Sequence, residues 1–549
     1  MGAARSLARG LARCLPLGLA FVASEAHADA PDNWKFSLDG FYRVRAYDFI
    51  DLYEGQAAGG TYLTHKVRLQ PQLNYEDRAK FFMMVDMLDG VIWGDNQSLA
   101  STALFAGDPS YTGIDGTEVE PIVVRRAWTE FKVPVGLIRA GRQASQWGMG
   151  LLANGGDGFD DTFGENKYGS TYDRILFATR PITVGTTVAN MVNSKAKVRD
   201  IPLITAIGVD RLVEDPLIQY YGYTCDPESG DDDSRCSASD DHSWTEERED
   251  EYRSDAWWVD TQDDVYEMVY VLVYRGEDVQ FTKSLKGDLT AGFYIVNRIQ
   301  AETESDVLIV DGYVKSEVAN TYFEAEMLTI QGGTRAITLS DAEAEDPILK
   351  NADIWGYVMR GGYQDQKYTA LMEYGYASGD DKPTDTEFTG RPLHPDHNVG
   401  LIFYEEIMAR VTAEAWGEGA RGLWSNGGVY NSRYIYPNVR FRPLPNWEII
   451  GAYMMAWPDK PDGSRVRCAE GDDVECTAYT ATSDYLAWEA DLGVKHKWAD
   501  HINFSLEAGY AHVTDRIPLK TTGLQYEADD EGHEYGNFWT VQSRIAYEF

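Results

Sequence analysis

The sequence predicts an all-β fold, a transmembrane antiparallel up-and-down β-barrel with short turns at one end and long loops at the other. Three observations carry this. Many segments alternate apolar and polar residues with a period of two. No apolar run beyond the N-terminal segment reaches the roughly 18 residues that a membrane helix needs. The N-terminus itself reads as an export signal.

That signal comes first in the chain. Arg5, Arg9 and Arg13 form a basic region, Leu15 to Ala23 a short apolar core, and Ala26-His27-Ala28 a small-x-small cleavage site. Residues 1–28 are therefore expected to be a cleavable signal peptide, with Asp29 opening a mature barrel of residues 29–549. A lipoprotein signal does not fit, because Cys14 follows Arg13 and precedes the apolar core.

Composition agrees with a barrel. The 549 residues would suit several soluble domains, yet no Pro- or Gly/Ser-rich linker and no repeat divides them. Aromatics make up 13% of the chain, with 34 Tyr and 15 Trp. A barrel spreads these over its outer wall and two interfacial girdles. The mean hydropathy of −0.39 fits a wall in which only every second strand residue is apolar. A net charge of −39 excludes a nucleic-acid partner, which would demand a basic surface.

The strands follow in order. In the first, Trp34, Phe36, Leu38, Tyr42, Val44 and Ala46 share one face, and Lys35, Ser37, Asp39, Arg43, Arg45 and Tyr47 the other. In the second, Val67, Leu69, Leu73 and Tyr75 oppose Thr64, Lys66, Arg68, Gln70, Gln72 and Asn74. The apolar face suits lipid and the polar face a lumen. Closure satisfies every backbone group, which an open sheet in lipid cannot do. Further candidates lie near 79–88, 121–132, 135–146, 171–180, 203–213, 263–275, 288–300, 306–316, 319–332, 351–363, 366–377, 430–442, 446–457, 484–497 and 502–513. The last runs from 537 to 549, where Trp539, Val541, Ile545, Tyr547 and Phe549 alternate with polar residues. Tyr547 and the terminal Phe549 resemble the signature read by the barrel assembly machinery of outer membranes. The total is about eighteen strands, an even number.

With the N-terminus periplasmic, the short connections at 76–78, 133–135, 364–365, 443–445 and 499–501 all fall on the periplasmic side, and the long loops fall outside. Residues 181–202 are too long for a turn. They read as an extra hairpin or a periplasmic segment, so sixteen and twenty strands stay open.

The loops carry most of the acid. The segment 214–262 is a long acidic extracellular loop with Asp231-Asp232-Asp233 and Glu249-Asp250-Glu251. Its carboxylates could chelate Ca²⁺, although they lack EF-hand spacing; no other cofactor and no metal site is expected. Cys225 with Cys236, and Cys468 with Cys476, form two sequence-local pairs, read as loop disulfides in an oxidising compartment. The segment 378–429 is another long loop, and two readings of it stay open: an inward constriction or an outer cap.

Where alternation is clean, the inward basic residues are Lys35, Arg43, Arg45, Lys66, Arg68, Arg440, Arg442, Lys495, Lys497 and Arg544. The inward acids on those strands are Asp39, Glu489, Asp491, Glu507 and Glu548. Rings of Arg and Lys favour anions, although lumenal charges also form neutral ladders that only stiffen a wall.

Short motifs carry a family resemblance. Arg125-Arg126-Ala127-Trp128-Thr129-Glu130 followed by Ala140-Gly141-Arg142-Gln143 resembles a strand pair of the alginate-export type of outer-membrane porin. Glu373-Tyr374-Gly375-Tyr376-Ala377-Ser378-Gly379-Asp380-Asp381 and His397-Asn398-Val399-Gly400 are similar to a strand end and loop of that family. The resemblance implies eighteen strands and an Arg-rich lumen passing an anionic polyuronate, with Arg126, Arg139 and Arg142 as motif-linked path residues. The loop at 214–262 and the second cysteine pair depart from the family's pattern.

The expectation is thus a Gram-negative outer-membrane channel, passing small or polymeric anionic solutes by diffusion. Its other partners would be membrane lipid, lipopolysaccharide and the assembly machinery. A structural or binding barrel, either a surface receptor or a sheath for a partner protein, is the competing reading. An enzyme is not expected: His65 on the second strand's lipid face has no evident catalytic partner.

Overall fold

The computed structural model describes residues 33–50, 52, 60–76, 78–93, 122–157, 162–166, 169–194, 197–214, 265–301, 303–337, 348–381, 385–415, 425–460, 482–519, 524–529 and 532–549. The signal segment 1–28, all four loop cysteines and nearly all of the acidic loop 214–262 lie outside the described residues.

Eighteen strands form a closed antiparallel barrel. They are β1 (Trp34–Ile50), β2 (Gly60–Tyr75), β3 (Ala79–Ile92), β4 (Ile122–Val133), β5 (Gly136–Ala144) and β6 (Thr171–Thr179). Next come β7 (Leu203–Glu214), β8 (Tyr266–Thr282), β9 (Leu285–Gln300), β10 (Ser305–Val318), β11 (Thr321–Thr334) and β12 (Lys350–Gln364). The last are β13 (Tyr368–Ala377), β14 (Ser432–Leu444), β15 (Trp447–Pro458), β16 (Ala487–Trp498), β17 (Ile502–Val513) and β18 (Glu534–Glu548). Each strand pairs with its sequence neighbour, and β18 closes on β1 with Tyr42 opposite Tyr547 and Ile50 opposite Trp539. Two short strands stand outside this ring: Glu387–Phe388 pairs parallel with β12, and Glu527–Ala528 pairs with β18.

The alternation seen in the sequence is the alternation of the wall. Along β1, Arg43, Arg45, Tyr47 and Phe49 are buried inside, while Trp34, Phe36, Leu38 and Tyr42 stay exposed outside. The outer surface carries Ile175, Ile207, Phe293, Met327, Val439, Leu492 and Leu506 as an exposed apolar band. Trp34, Trp447, Trp498 and Tyr547 rim it at the turn end, and Trp93, Trp355 and Trp539 lie toward the loop end. This is the profile of a wall solvated by lipid. No helix among the described residues is long and apolar enough to cross a membrane.

Turn chemistry explains the short end. Ala499 and Asp500, between β16 and β17, both take positive φ, which matches a tight hairpin to the right-handed twist of its strands. The seam is sealed by reciprocal backbone bonds of 3.0 Å between Gly40 and Phe549. A Cβ at Gly40 would lie 2.4 Å from the Arg68 carbonyl and 2.9 Å from the Phe549 ring, so only glycine fits. The described residues of the long connection after β6 form no extra hairpin. They include a helix, α1 (Pro181–Val192), at the turn end.

Candidate functional site

The described parts of two loop-end segments fold into the bore: one lies between β5 and β6, at 145–157, 162–166 and 169–170, and the other between β13 and β14, at 378–381, 385–415 and 425–431. Backbone that leaves a sheet and is then buried must find new hydrogen-bond partners, and carboxylates on the wall supply them. The Trp147 indole donates to Asp311 at 3.1 Å. Leu151 N–H donates to Glu326 at 3.1 Å, and Met149 N–H donates to the same carboxylate. In the second segment, the N–H groups of Leu401, Ile402 and Phe403 donate to Glu489 at 2.5, 2.9 and 2.7 Å. A π-helical turn (Phe403–Met408) and the helix α2 (Ala409–Ala415) follow. Leu151, Val399, Phe403, Tyr404 and Ile407 are fully buried, so the apolar residues of these loops fill the lumen. Of the two readings left open for 378–429, the described part takes the inward one.

The segments also hold each other. His394 N–H donates to the Leu151 carbonyl at 2.8 Å, and Asn154 donates to the Asp396 carbonyl at 3.3 Å. Buried Ser170 lies 3.2 Å from His394 Nε2. His394 Nδ1 accepts from Asp396 N–H, so the neutral ring carries its proton on Nε2 and cannot act as a base toward Ser170. This pair ties loop to loop rather than activating a nucleophile.

At its far end the first segment reaches the opposite wall. Glu165, 4% exposed, receives Arg43, Arg45 at 3.1 Å and Arg544 at 3.9 Å. Arg45 also donates to Gln542. Beside them Arg68 grips Asp86 through two bonds of 2.7 and 2.8 Å, and Lys66 reaches Asp86 at 3.0 Å and Asp89 at 2.6 Å. Arg126 bonds Asp157 of the inward segment at 2.6 Å and the Gly155 carbonyl. Toward the turn end, Arg440 donates to Thr162 at 2.8 Å, and Arg442 meets Glu448 at 2.8 Å. Lys495 stands between Glu448 and Ser505 in the register, Lys497 lies 3.9 Å from Glu548, and Lys35 is exposed at the turn-end mouth.

Of the motif-linked pair Arg139 and Arg142, one sits as the sequence expectation has it and one does not. Arg139 faces inward, paired with Glu130 at 2.7 Å and stacked 4.4 Å from the Trp128 ring. Arg142 does not line the lumen. It stands on the outer face, 42% exposed at its side chain, paired at 2.9 Å with the equally exposed Asp173. The cause is parity: Arg139 and Arg142 are three residues apart, so a strand sends them to opposite faces. Conversely, sequence reasoning missed Arg125 as a lumenal residue. The register of β3 on β4 jumps at Met84 and Val85, leaving Arg125 as the extra residue of a bulge. It thereby turns toward Asp86 at 3.5 Å and Asp89 at 3.4 Å.

Inward acids were missed as well, because their strands alternate imperfectly. Arg174 pairs with Asp210 at 2.8 Å, Arg298 with Glu267 at 2.6 Å, and Arg360 with Glu324 at 2.8 Å. These pairs are neutral, while Asp311 and Glu326 on the same side of the barrel accept from the inward segment instead of a wall base. The excess of bases is confined to a strip formed by β14, β16, β18, β1, β2 and β4. On that strip the Nε atoms of Arg43, Arg126 and Arg440 are buried and meet no acceptor.

Openings lie beside the packed segments among the described residues. Toward the loop end, a cavity of about 110 Å³ is walled by Val307, Ile309, Ile330, Ile354 and Phe388, with Arg298 and Arg391 at its edge. A gap of about 10 Å³ lies at the narrowing itself, between Arg45, Glu165, Glu405, Glu406 and Gln542. No group of three or more His, Cys, Asp or Glu among the described residues is placed to hold a metal ion.

No family model and no curated relative matches the chain; the alginate-export likeness rests on its short motifs alone. Among solved structures, the chain is similar to OccK9 (OpdG) of Pseudomonas aeruginosa, at 9% identity over 94% of this chain and 99% of that one, with a TM-score of 0.45. It is also similar to OpdK of the same organism, solved with vanillate, at 11% identity over 93% and 98% of the chains and a TM-score of 0.45. A third is the outer membrane channel DcaP of Acinetobacter baumannii, at 10% identity over 95% and 99% and a TM-score of 0.39.

Proposed function

We propose that this chain is a passive outer-membrane channel for small anionic solutes. The observation that carries the reading is the convergence of Arg43, Arg45 and Arg544 on Glu165, where an inward segment meets the basic strip of a closed barrel. Guanidinium groups bind carboxylates through paired hydrogen bonds, and a ring of them at a narrowing favours anions over cations. The apolar outer band and its aromatic rims support a place in a membrane, with the turn end periplasmic and the loop end outside. Membrane lipid, lipopolysaccharide and the assembly machinery are the partners this implies, with Tyr547 and Phe549 at the seam as the assembly signal. Transport is downhill along the solute gradient.

A small carboxylate is the solute class this reading favours. Beside the two inward segments, one cavity of about 110 Å³ has room for a compact solute. The cavity with apolar walls and two arginines suits a carboxylate with an apolar body.

The test is planar-bilayer conductance of the refolded protein in a salt gradient. The expected reversal potential marks anion preference, and replacing Arg43, Arg45 and Arg68 by Ala should reduce it. A cation-selective barrel would sink the proposal, and a non-conducting one would favour a structural or binding role.

A further inference from the structure

The helix α1 is built inside out. Its polar side chains turn toward the chain's own return segment. Thr183 donates to Asp200 at 3.2 Å, the Arg199 N–H donates to Thr186 at 3.0 Å, and Asn190 donates to the Ser194 carbonyl at 3.4 Å. The apolar side chains of its second half point away from the protein. Val188 is 50% exposed, Met191 79% and Val192 86%, and no residue of the helix is buried. The helix contains no charged residue, yet Arg180, Lys195, Lys197 and Arg199 flank it against a single acid, Asp200. This basic island stands out in a chain of net charge −39.

A helix in water would be expected to turn the other way, threonines out and valines in. The reversed arrangement needs an apolar neighbour, and its place in the chain supplies one. α1 starts two residues after β6 ends and packs against β7, whose outward residues Ile207 and Val209 belong to the exposed apolar band. An uncharged apolar face with basic flanks is the pattern of a helix lying in a membrane interface, where Lys and Arg meet anionic headgroups.

We infer that α1 is an interfacial anchor lying in the turn-end leaflet, with Val188, Met191 and Val192 among acyl chains and Arg180, Lys197 and Arg199 at the phosphate level. This rests on the barrel spanning a membrane, and the test separates the two ideas. The full chain is refolded into vesicles of phosphatidylethanolamine and phosphatidylglycerol with photoreactive benzoylphenylalanine at one position. Met191 is the probe, Ile207 on the outer wall the lipid-facing control, and Lys367 in a turn the solvent-facing control. Phospholipid adducts at 191 comparable to those at 207, and well above those at 367, are expected. Replacing Arg180, Lys197 and Arg199 by Gln should remove most adducts to phosphatidylglycerol. Adducts at 207 with none at 191 overturn the anchor and leave the barrel standing. Failure at 207 as well overturns the membrane reading itself. Capture of a protein instead of lipid at 191 in intact cells makes α1 a docking helix and also overturns the anchor.

Discussion

Glu489 offers the sharpest test of how the bore is narrowed. Its two oxygens receive the N–H groups of Leu401, Ile402 and Phe403, so Glu489→Ala strips three acceptors from one buried stretch of loop. A buried N–H left without an acceptor costs about 1–3 kcal/mol. Two effects reduce the total: water can enter the lumen, and Asp491 and Glu507 lose a nearby carboxyl group. A net loss of about 3–5 kcal/mol of anchoring is the expectation, similar to breaking a buried charged contact. At about 1.4 kcal/mol per decade, the balance between seated and released loop shifts by roughly two to three and a half powers of ten. Single-channel recording should then show a larger or strongly flickering unitary conductance. Glu489→Gln keeps one carbonyl oxygen and should fall between. The barrel itself is checked by its heat-shifted migration on a gel. A folded Glu489→Ala barrel with wild-type conductance and open-channel noise would refute the idea that this carboxylate holds the constriction.

Three further outcomes follow from the same geometry. Glu165→Gln removes the carboxylate that neutralises Arg43, Arg45 and Arg544, and should move the salt-gradient reversal potential further toward anions; a shift toward cations would contradict the role given to that cluster. Gly40→Val places side-chain atoms against the Arg68 carbonyl and the Phe549 ring, and should lower the yield of folded barrel in vesicles, whereas normal assembly would show that the seam tolerates a side chain. Asp515, in the loop after β17, is raised by burial but held at about 2 overall by hydrogen bonds from Thr482 and Ser483. Because that value lies below the ordinary 3.8, its stabilisation is present above about pH 4 and fades as pH falls toward 2. Protection of the Thr482 and Ser483 amides, taken relative to the intrinsic exchange rate at each pH, should therefore fall over that window in wild type but not in Asp515→Ala.

Most of the fold was legible because a strand in a lipid-facing wall writes its period directly into the chain. The first and last strands and the turn parity followed from alternation, whereas the total of eighteen leaned on the family resemblance as well. The failures have local causes. Arg142 was carried by a motif likeness, although its spacing from Arg139 already placed the two on opposite faces. Arg125 could not be placed, because a bulge breaks the period it would be read from. Leu401-Ile402-Phe403-Tyr404 was a visible hint, an apolar run in a loop. Which wall would seat it depended on Glu489, far away in sequence. The helix α1 does carry a short stripe at helical spacing, Val184, Val188, Met191 and Val192, but in so short a connection it reads as an extra hairpin or a periplasmic segment.

The lumen electrostatics were legible only in part, and the correction changes the physics. A count over the clean strands suggests a freely basic bore. In the structure nearly every base already has an acidic partner, and on the strip of β18, β1, β2 and β4 some of those partners sit on the inward segment rather than on the wall. Under the proposed function, Glu165 and Asp157 hold the guanidinium groups that a permeating carboxylate would seek. A built-in counter-ion of this kind keeps buried guanidinium groups from standing unpaired between passages, which would be costly. It also competes with the solute, because an entering anion must displace a carboxylate of similar strength and can be displaced by it in turn. Binding is thereby held weak enough for release, which a channel needs as much as it needs attraction. By this reasoning Glu165→Gln should lengthen the residence of a carboxylate in the bore as well as raise anion preference. Stronger selectivity with unchanged residence would show that the arginines set the field while another contact sets release.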